Sequence, residues 1–191
     1  MVRNKIIIVG AVMLMTVLIV AGVVYAVQLT RLPSNTIEWA FTQEDQAPEK
    51  LLINVIHSAQ TSLDVAIFSL THPDIVQAIK EVHKRGVEVR LMTDKEEAVS
   101  KAQSKALNVL RSAGVSIKIN KHKGLMHLKS VIVDREVVTT GSFNFSKSAS
   151  TENDEILIVH RNEGFAAAFS ATFERMWNDE AKFETLESSS F

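Results

Sequence analysis

A chain of 191 residues is long enough for one domain with a substantial core and an additional segment. Its hydrophobic content of 46% and mean hydropathy of +0.09 are high for a soluble domain. The absence of cysteine excludes a disulfide framework, thiolate metal sites and a cysteine nucleophile.

The hydrophobic excess sits at the front. Ile6 to Val27 run for 22 residues without a charge, and as a helix they would span roughly 33 Å, close to the hydrocarbon thickness of a bilayer. Arg3 and Lys5 precede the run and only Arg31 follows closely, so the positive-inside rule keeps the N-terminus in the cytoplasm and exports the rest. A secretory signal cleaved near Val24-Tyr25-Ala26 is the rival reading, although the run exceeds a typical signal core; a buried core helix is the third. The expected organisation is an anchor or signal over 1–28, a linker over 29–40 around Pro33-Ser34-Asn35, one folded domain over 41–180, and a loose polar tail over 181–191.

Within the domain, Leu51, Leu52, Val55, Ile56 and Ala59 have helical spacing, which predicts a helix over 47–60. Leu63–Phe68 reads as a strand. Pro73–Arg85 reads as a helix, with proline in its first turn and Gly86 after its end. Val87–Met92 is a second strand, Ser104–Ala113 a helix closed by Gly114, and Val115–Ile119 a third strand. This β-α-β-α-β order predicts an α/β fold, a mixed sheet flanked by helices. Leu128–Asp134 and Glu136–Gly141 then form two strands joined by a tight turn, Glu155–His160 another strand, and Glu163–Trp177 a closing amphipathic helix.

Charge is unevenly spread. Residues 101–150 hold nine Lys/Arg against two acids, residues 38–97 eleven acids against six bases, and residues 151–191 nine acids against three. The basic third would attract a polyanion or an anionic surface, or is an ordinary solvated lysine face. It contains the densest chemistry in the chain. His127, Lys129, Asp134, Gly141, Ser142 and Asn144 bring an imidazole, an ammonium, a hydroxyl and a carboxamide into eighteen residues. On a strand His127 and Lys129 point the same way, whereas Asp134 has the opposite parity and suits holding a turn or neighbouring main chain. Ser142 and Asn144 also share parity, ahead of a short helix near 145–149 whose N-terminus could receive an anion. Gly141 suits close passage of backbone past a ligand.

His127-x-Lys129-x4-Asp134-x6-Gly141-Ser142-x-Asn144 resembles, without a gap, the His-Lys-Asp signature of the phospholipase D superfamily, and most of all its small single-motif bacterial endonucleases. The resemblance runs from Phe41 to about Asn178 and takes in Ala66–Leu70 and Lys84–Val89; Ser146 stands where threonine is common. It implies an αβα sandwich. It also implies that His127 is a nucleophile forming a phosphohistidine, that Lys129, Ser142 and Asn144 bind phosphate oxygens, and that Glu155 hydrogen-bonds the histidine and fixes its tautomer. Asp134 and Gly141 would be structural support. No cofactor or metal is expected: there is no HExxH and no acidic ligand cluster.

Such a reaction needs two histidines, one to attack and one to protonate the leaving oxygen. His57, His72, His83, His122 and His160 all lack the lysine spacing, so a two-fold dimer lending one His127 from each copy is the expected solution. Three functions follow: a metal-independent nuclease without strong sequence preference, a phospholipase D cleaving phospholipid headgroups, or a silent nucleic-acid-binding module. The last would predict a damaged motif, and the motif is intact. The expected location is the cell membrane with the domain outside the cytoplasm, or secretion after signal cleavage.

Overall fold

Strands apolar on both faces take the middle of a sheet, and β2 (Ser62–Ile67) and β5 (Lys129–Val133) are such strands. The computed structural model describes Met15 and residues 35–187. Apart from Met15, the expected anchor over 1–28 lies outside the described residues, among which no helix is long and apolar enough to cross a membrane.

Eight strands form one mixed sheet in the order β1-β7-β6-β5-β2-β3-β4-β8. β3 (Glu88–Thr93) and β4 (Ser116–Asn120) continue parallel from β2, while β5, β6 (Val137–Gly141), β7 (Ile156–Arg161) and β1 (Thr36–Phe41) pair antiparallel on its other side. The crossovers of the parallel half are α1 (Pro48–His57, ahead of β2), α2 (Pro73–Lys84), the single turn α3 (Lys95–Ala98) and α4 (Lys101–Ser112). Their apolar stripes bury the larger core with Val65, Val131, Val133 and Val159. A five-residue helix α5 (Lys147–Thr151) follows β6. The opposite face carries α6 (Glu163–Trp177), packed through Ala166 and Phe173 on Ala66, Met92, Ile132 and Val138.

Two segments differ from the sequence reading. Thr36–Phe41, expected as linker, is an edge strand paired along its length with β7; its apolar residues Ile37, Trp39 and Phe41 alternate, but they face out and not into the core. The expected loose tail contains β8 (Phe183–Thr185), which pairs antiparallel with β4 and buries Phe183, followed by buried Leu186. Two apolar residues spaced three apart suffice there, because β4 otherwise has an unpaired edge.

The β5–β6 turn explains Asp134. Asp134 and Arg135 both have positive φ (52° and 60°), the geometry that matches the twist of a two-residue hairpin. The Asp134 carboxylate accepts the N–H groups of Gln60, Thr61 and Ser62 at 2.8–2.9 Å and the Thr61 hydroxyl at 2.8 Å. It thereby ties the hairpin to the start of β2 and sets the β2–β5 register. Partial burial works against its charge, but the hydrogen bonds from Ser62, Thr61 and Gln60 outweigh it and hold the carboxyl below its ordinary value. A lowered folded-state pKa gives stability that is complete above the unfolded value and lost as pH falls through the folded one. Asp134→Asn should therefore cost about 1–3 kcal/mol at pH 7 in denaturant unfolding, and its deficit against the parent should shrink as the pH falls below about 4.

Candidate active site

The site residues gather at the carboxyl ends of the parallel strands, where open α/β sheets place their ligands. β2 ends in Phe68, and its main chain is pinned on both sides. The Phe68 N–H donates to the Leu128 carbonyl at 2.9 Å. Its own carbonyl accepts from Thr93 Oγ1 and Gln103 Nε2, both at 3.2 Å. Gln103 is fully buried; its Oε1 also accepts the Leu70 N–H at 2.6 Å and its Nε2 also donates to Thr93 Oγ1 at 2.8 Å.

The ring held this way is a platform. The His127 ring lies 4.5 Å from it, centroid to centroid, at 52°, and Lys129 Nζ sits 4.9 Å from its centroid. Lys129 Nζ is 3.3 Å from each ring nitrogen of His127 and donates to the His127 carbonyl at 3.1 Å. The expected shared direction of His127 and Lys129 is thus observed. His127 is exposed at the rim, whereas Lys129 is only 8% exposed. Burial lowers the Lys129 pKa, and the negative charge of Glu155 partly restores it. Lys129 makes no ion pair among the described residues. The group best placed to hold an anion is therefore a cation that the protein leaves under-compensated.

The loop that delivers His127 is fixed from below. Asp94, fully buried, caps α3 through Oδ1 and accepts the Met126 N–H through Oδ2 at 2.9 Å. Asn120 accepts from Lys95 N at 2.8 Å and donates to the Gly124 carbonyl at 3.0 Å.

The Gly141–Asn144 segment borders the same end. Gly141 has φ +143°, and a Cβ there would collide with the Ile156 carbonyl. The close passage expected to favour a ligand is thus made against β7. Phe143 and Phe145 are buried, Ser142 is exposed and Asn144 half-buried, the expected alternation. Phe145 N–H donates to the Ser69 carbonyl at 3.0 Å, which lays this segment beside the end of β2. Asn144 Oδ1 is buried without a hydrogen-bond partner, and Ser142 Oγ accepts the Ile156 N–H at 3.2 Å. The helix expected next is α5, one turn long, with Ser146 Oγ capping its N-terminus at Ala149 N–H.

Glu155 is placed otherwise than the resemblance implies. Its Oε1 accepts from Asn153 Nδ2 at 3.2 Å and it makes no hydrogen bond to His127; its charge acts on Lys129 through space. It lines a cleft of about 210 Å³ with Phe41, Glu44, Ser142, Asp154 and Ile156. The basic third of the sequence is partly spent on structure: Lys118 Nζ donates to the Trp177 carbonyl, and Lys121 lies 4.0 Å from Glu184.

Phe68, Asp94, Asn120 and Gln103 went unread in the sequence. Gln103 had a signal, a polar residue in the 103/106/107/110 apolar stripe, and Asp94 another, a cap three residues before Glu97. Phe68 had none, since an aromatic at a strand end ordinarily means core.

This geometry defines a class. The chain belongs to the phospholipase D-like family: the family described as "Cardiolipin synthase, PLD-like domain" matches residues 52–177. It is similar to the mitochondrial cardiolipin hydrolase of Xenopus tropicalis, 34% identical over 135 residues, which cover 71% of this chain and 63% of that protein. Among solved structures it is similar to Nuc of Salmonella typhimurium, a phospholipase D family member, with a TM-score of 0.75 and 31% identity over 81% of this chain and 100% of that one. It is also similar to NucT of Helicobacter pylori, with a TM-score of 0.67 and 28% identity over 74% and 96% respectively. The mixed sheet flanked by helices is the fold shared with them.

Because burial lowers the folded-state pKa of Lys129, its ammonium opposes folding below that value, and the penalty is relieved as pH rises towards the ordinary lysine range. Lys129→Met should leave the melting temperature unchanged or higher at pH 7, and that advantage should narrow as pH approaches about 10; differential scanning calorimetry at the two pH values measures both.

Proposed function

We propose that the chain is a phosphodiester hydrolase in which His127 is the nucleophile. The observation that carries this reading is the pairing of an exposed imidazole with a buried, under-compensated ammonium on one rigid aromatic platform. An arriving phosphodiester gives the Lys129 ammonium a better acceptor than the imidazole. A ring nitrogen of His127 is then free to attack phosphorus: the P–N bond forms, the P–O bond breaks, and the leaving oxygen takes a proton from a second imidazole. Water, deprotonated by that same second imidazole, then attacks the phosphohistidine and restores the first. Lys129, Ser142 and Asn144 would meet the phosphate oxygens, and the bare Oδ1 of Asn144 marks a carboxamide still without its partner.

The second imidazole is the partner subunit's His127. What supports this is the employment of the other histidines. His57 pairs with Glu81 at 3.3 Å, and His72 Nδ1 caps α2 at Asp74 N–H. His83 Nδ1 lies 3.3 Å from the Val87 carbonyl. His122 Nδ1 lies 2.9 Å from the Lys123 carbonyl, and the His160 ring lies 4.3 Å from that of Phe165, tilted at 31°. A homodimer would also give each phosphate two lysines to meet its charge without a metal.

Nucleic acid, cut without sequence preference, is the substrate read from the compact single-motif chain and the structural likeness to Nuc. A second reading, hydrolysis of a phospholipid, is favoured by exposed Leu125 and Leu128 beside His127 and by the name of the Xenopus relative. The uncharged run at 6–27 would anchor the chain in a membrane with this domain outside the cytoplasm.

The deciding assay incubates the protein with plasmid, single-stranded DNA, RNA and phosphatidylcholine or cardiolipin vesicles. Cleavage of nucleic acid, abolished in His127→Ala and lowered about 10²–10³-fold in Lys129→Ala, is expected; turnover of lipid alone overturns the nuclease reading. Activity should persist in EDTA, and loss restored by a divalent ion would count against the mechanism. Mixed dimers of parent and His127→Ala chains test the shared site: activity should follow the square of the parent fraction, whereas a linear fall means that each chain works alone.

A further inference from the structure

Among the described residues, nothing lies over one face of the edge strand β1. Ile37, Trp39 and Phe41 alternate along it and are 54, 58 and 41% exposed, while Ala40 between them is buried on the other side. Their cross-strand partners on β7 are His160, Ile158 and Ile156, and α6 packs over β2, β5, β6 and β7 without covering the stripe. An uncovered apolar stripe on a free sheet edge is a liability in water unless something occupies it.

We infer that this stripe seats on a zwitterionic lipid surface. The inference rests on the anchor reading of residues 6–27. Val27 is eight residues from Asn35, and eight residues reach at most about 29 Å, so a membrane holding the run keeps β1 within that distance. No other element of the described domain is tethered so closely. The side chains suit the boundary: tryptophan favours the headgroup level, and isoleucine and phenylalanine the acyl region beneath it. The charges select the lipid. No lysine or arginine lies on the stripe, and beyond Phe41 the cleft is lined by Glu44, Asp154 and Glu155, which would repel an anionic surface. Phe41 shares that cleft with Ser142, so a seated stripe carries the Ser142 side of the site to headgroup level.

The chain has no cysteine, so Trp39→Cys in the full-length protein can carry one environment-sensitive fluorophore. Val109→Cys, exposed on α4, is the control. Both are reconstituted into phosphatidylcholine vesicles and floated. A blue shift and strong quenching by lipid-borne spin labels are expected at position 39, with position 109 remaining water-like. A chain that floats while its position 39 stays water-like overturns the inference and leaves the anchor reading standing. A probe shielded equally in detergent and untouched by the lipid quenchers overturns it in favour of a second copy of the chain. Failure to float removes the anchor reading and this inference with it.

Discussion

A primary ammonium buried on a central strand is the constraint on which the rest of the site depends. Lys129 is placed by pairing: it lies opposite Ile67 in the β2–β5 ladder, which fixes its main chain at the sheet end. Burying a charge costs several kcal/mol unless it is paired. Here the compensation is partial: a carbonyl, an imidazole and an aromatic face, with Glu155 acting only at a distance. A fully paired lysine would be a structural ion pair. The contrast is Arg90, bonded by two nitrogens to Asp64, reaching Glu174 and lying over Phe173 and Trp177. Its charge is spent on holding α6 to the sheet. The charge of Lys129 is held in reserve, and an anionic oxygen is the group that would complete it.

Reserve of this kind requires rigidity, which comes from neutral and acidic groups beneath the site. Gln103 and Thr93 fix the Phe68 carbonyl, Asp94 fixes Met126, and Asp134 fixes the far end of the same hairpin. The hairpin is therefore held at both ends by carboxylates, Asp94 beneath the loop that delivers His127 and Asp134 at the far turn.

How much of this was legible follows from the range of each signal. Elements defined by periodicity emerged with nearly correct bounds: α6 is found over Glu163–Trp177 as read, and the α2 boundaries are set by Pro73 and by Gly86 at φ +93°. Strand parity alone put His127 and Lys129 together and sent Asp134 elsewhere. Edge strands were lost: β8 is only three residues long, and β1 alternates but turns Ile37, Trp39 and Phe41 outward instead of into the core. The supporting polar network was lost for a related reason. Gln103 meets Phe68, Leu70 and Thr93 across separations of 10 to 35 residues, and no local pattern encodes such a meeting. Glu155 shows the limit of analogy: a motif assigned it to the imidazole, whereas the local chain turns it towards Asn153 and the cleft.

The proposed reaction asks for more than the one imidazole and one ammonium that His127 and Lys129 supply. His127 is exposed, the flanking Leu125 and Leu128 are exposed and apolar, and the other five histidines serve contacts of their own. Phosphoryl transfer through a histidine gains most from a water-excluding enclosure, where each hydrogen bond to the developing charge counts for more. A two-fold related copy set against this rim would supply the cover and the second imidazole together, since any surface that brings one His127 to the axis brings the other. Chemical asymmetry would then arise from a single shared proton, the phosphate favouring one protonated and one neutral ring across the pair. The proposed dimer would thus answer the chemistry at the rim, where exposed Leu125 and Leu128 flank His127, whereas the β1 stripe of Ile37, Trp39 and Phe41 belongs to a different strand and would be left to the separate task proposed for it.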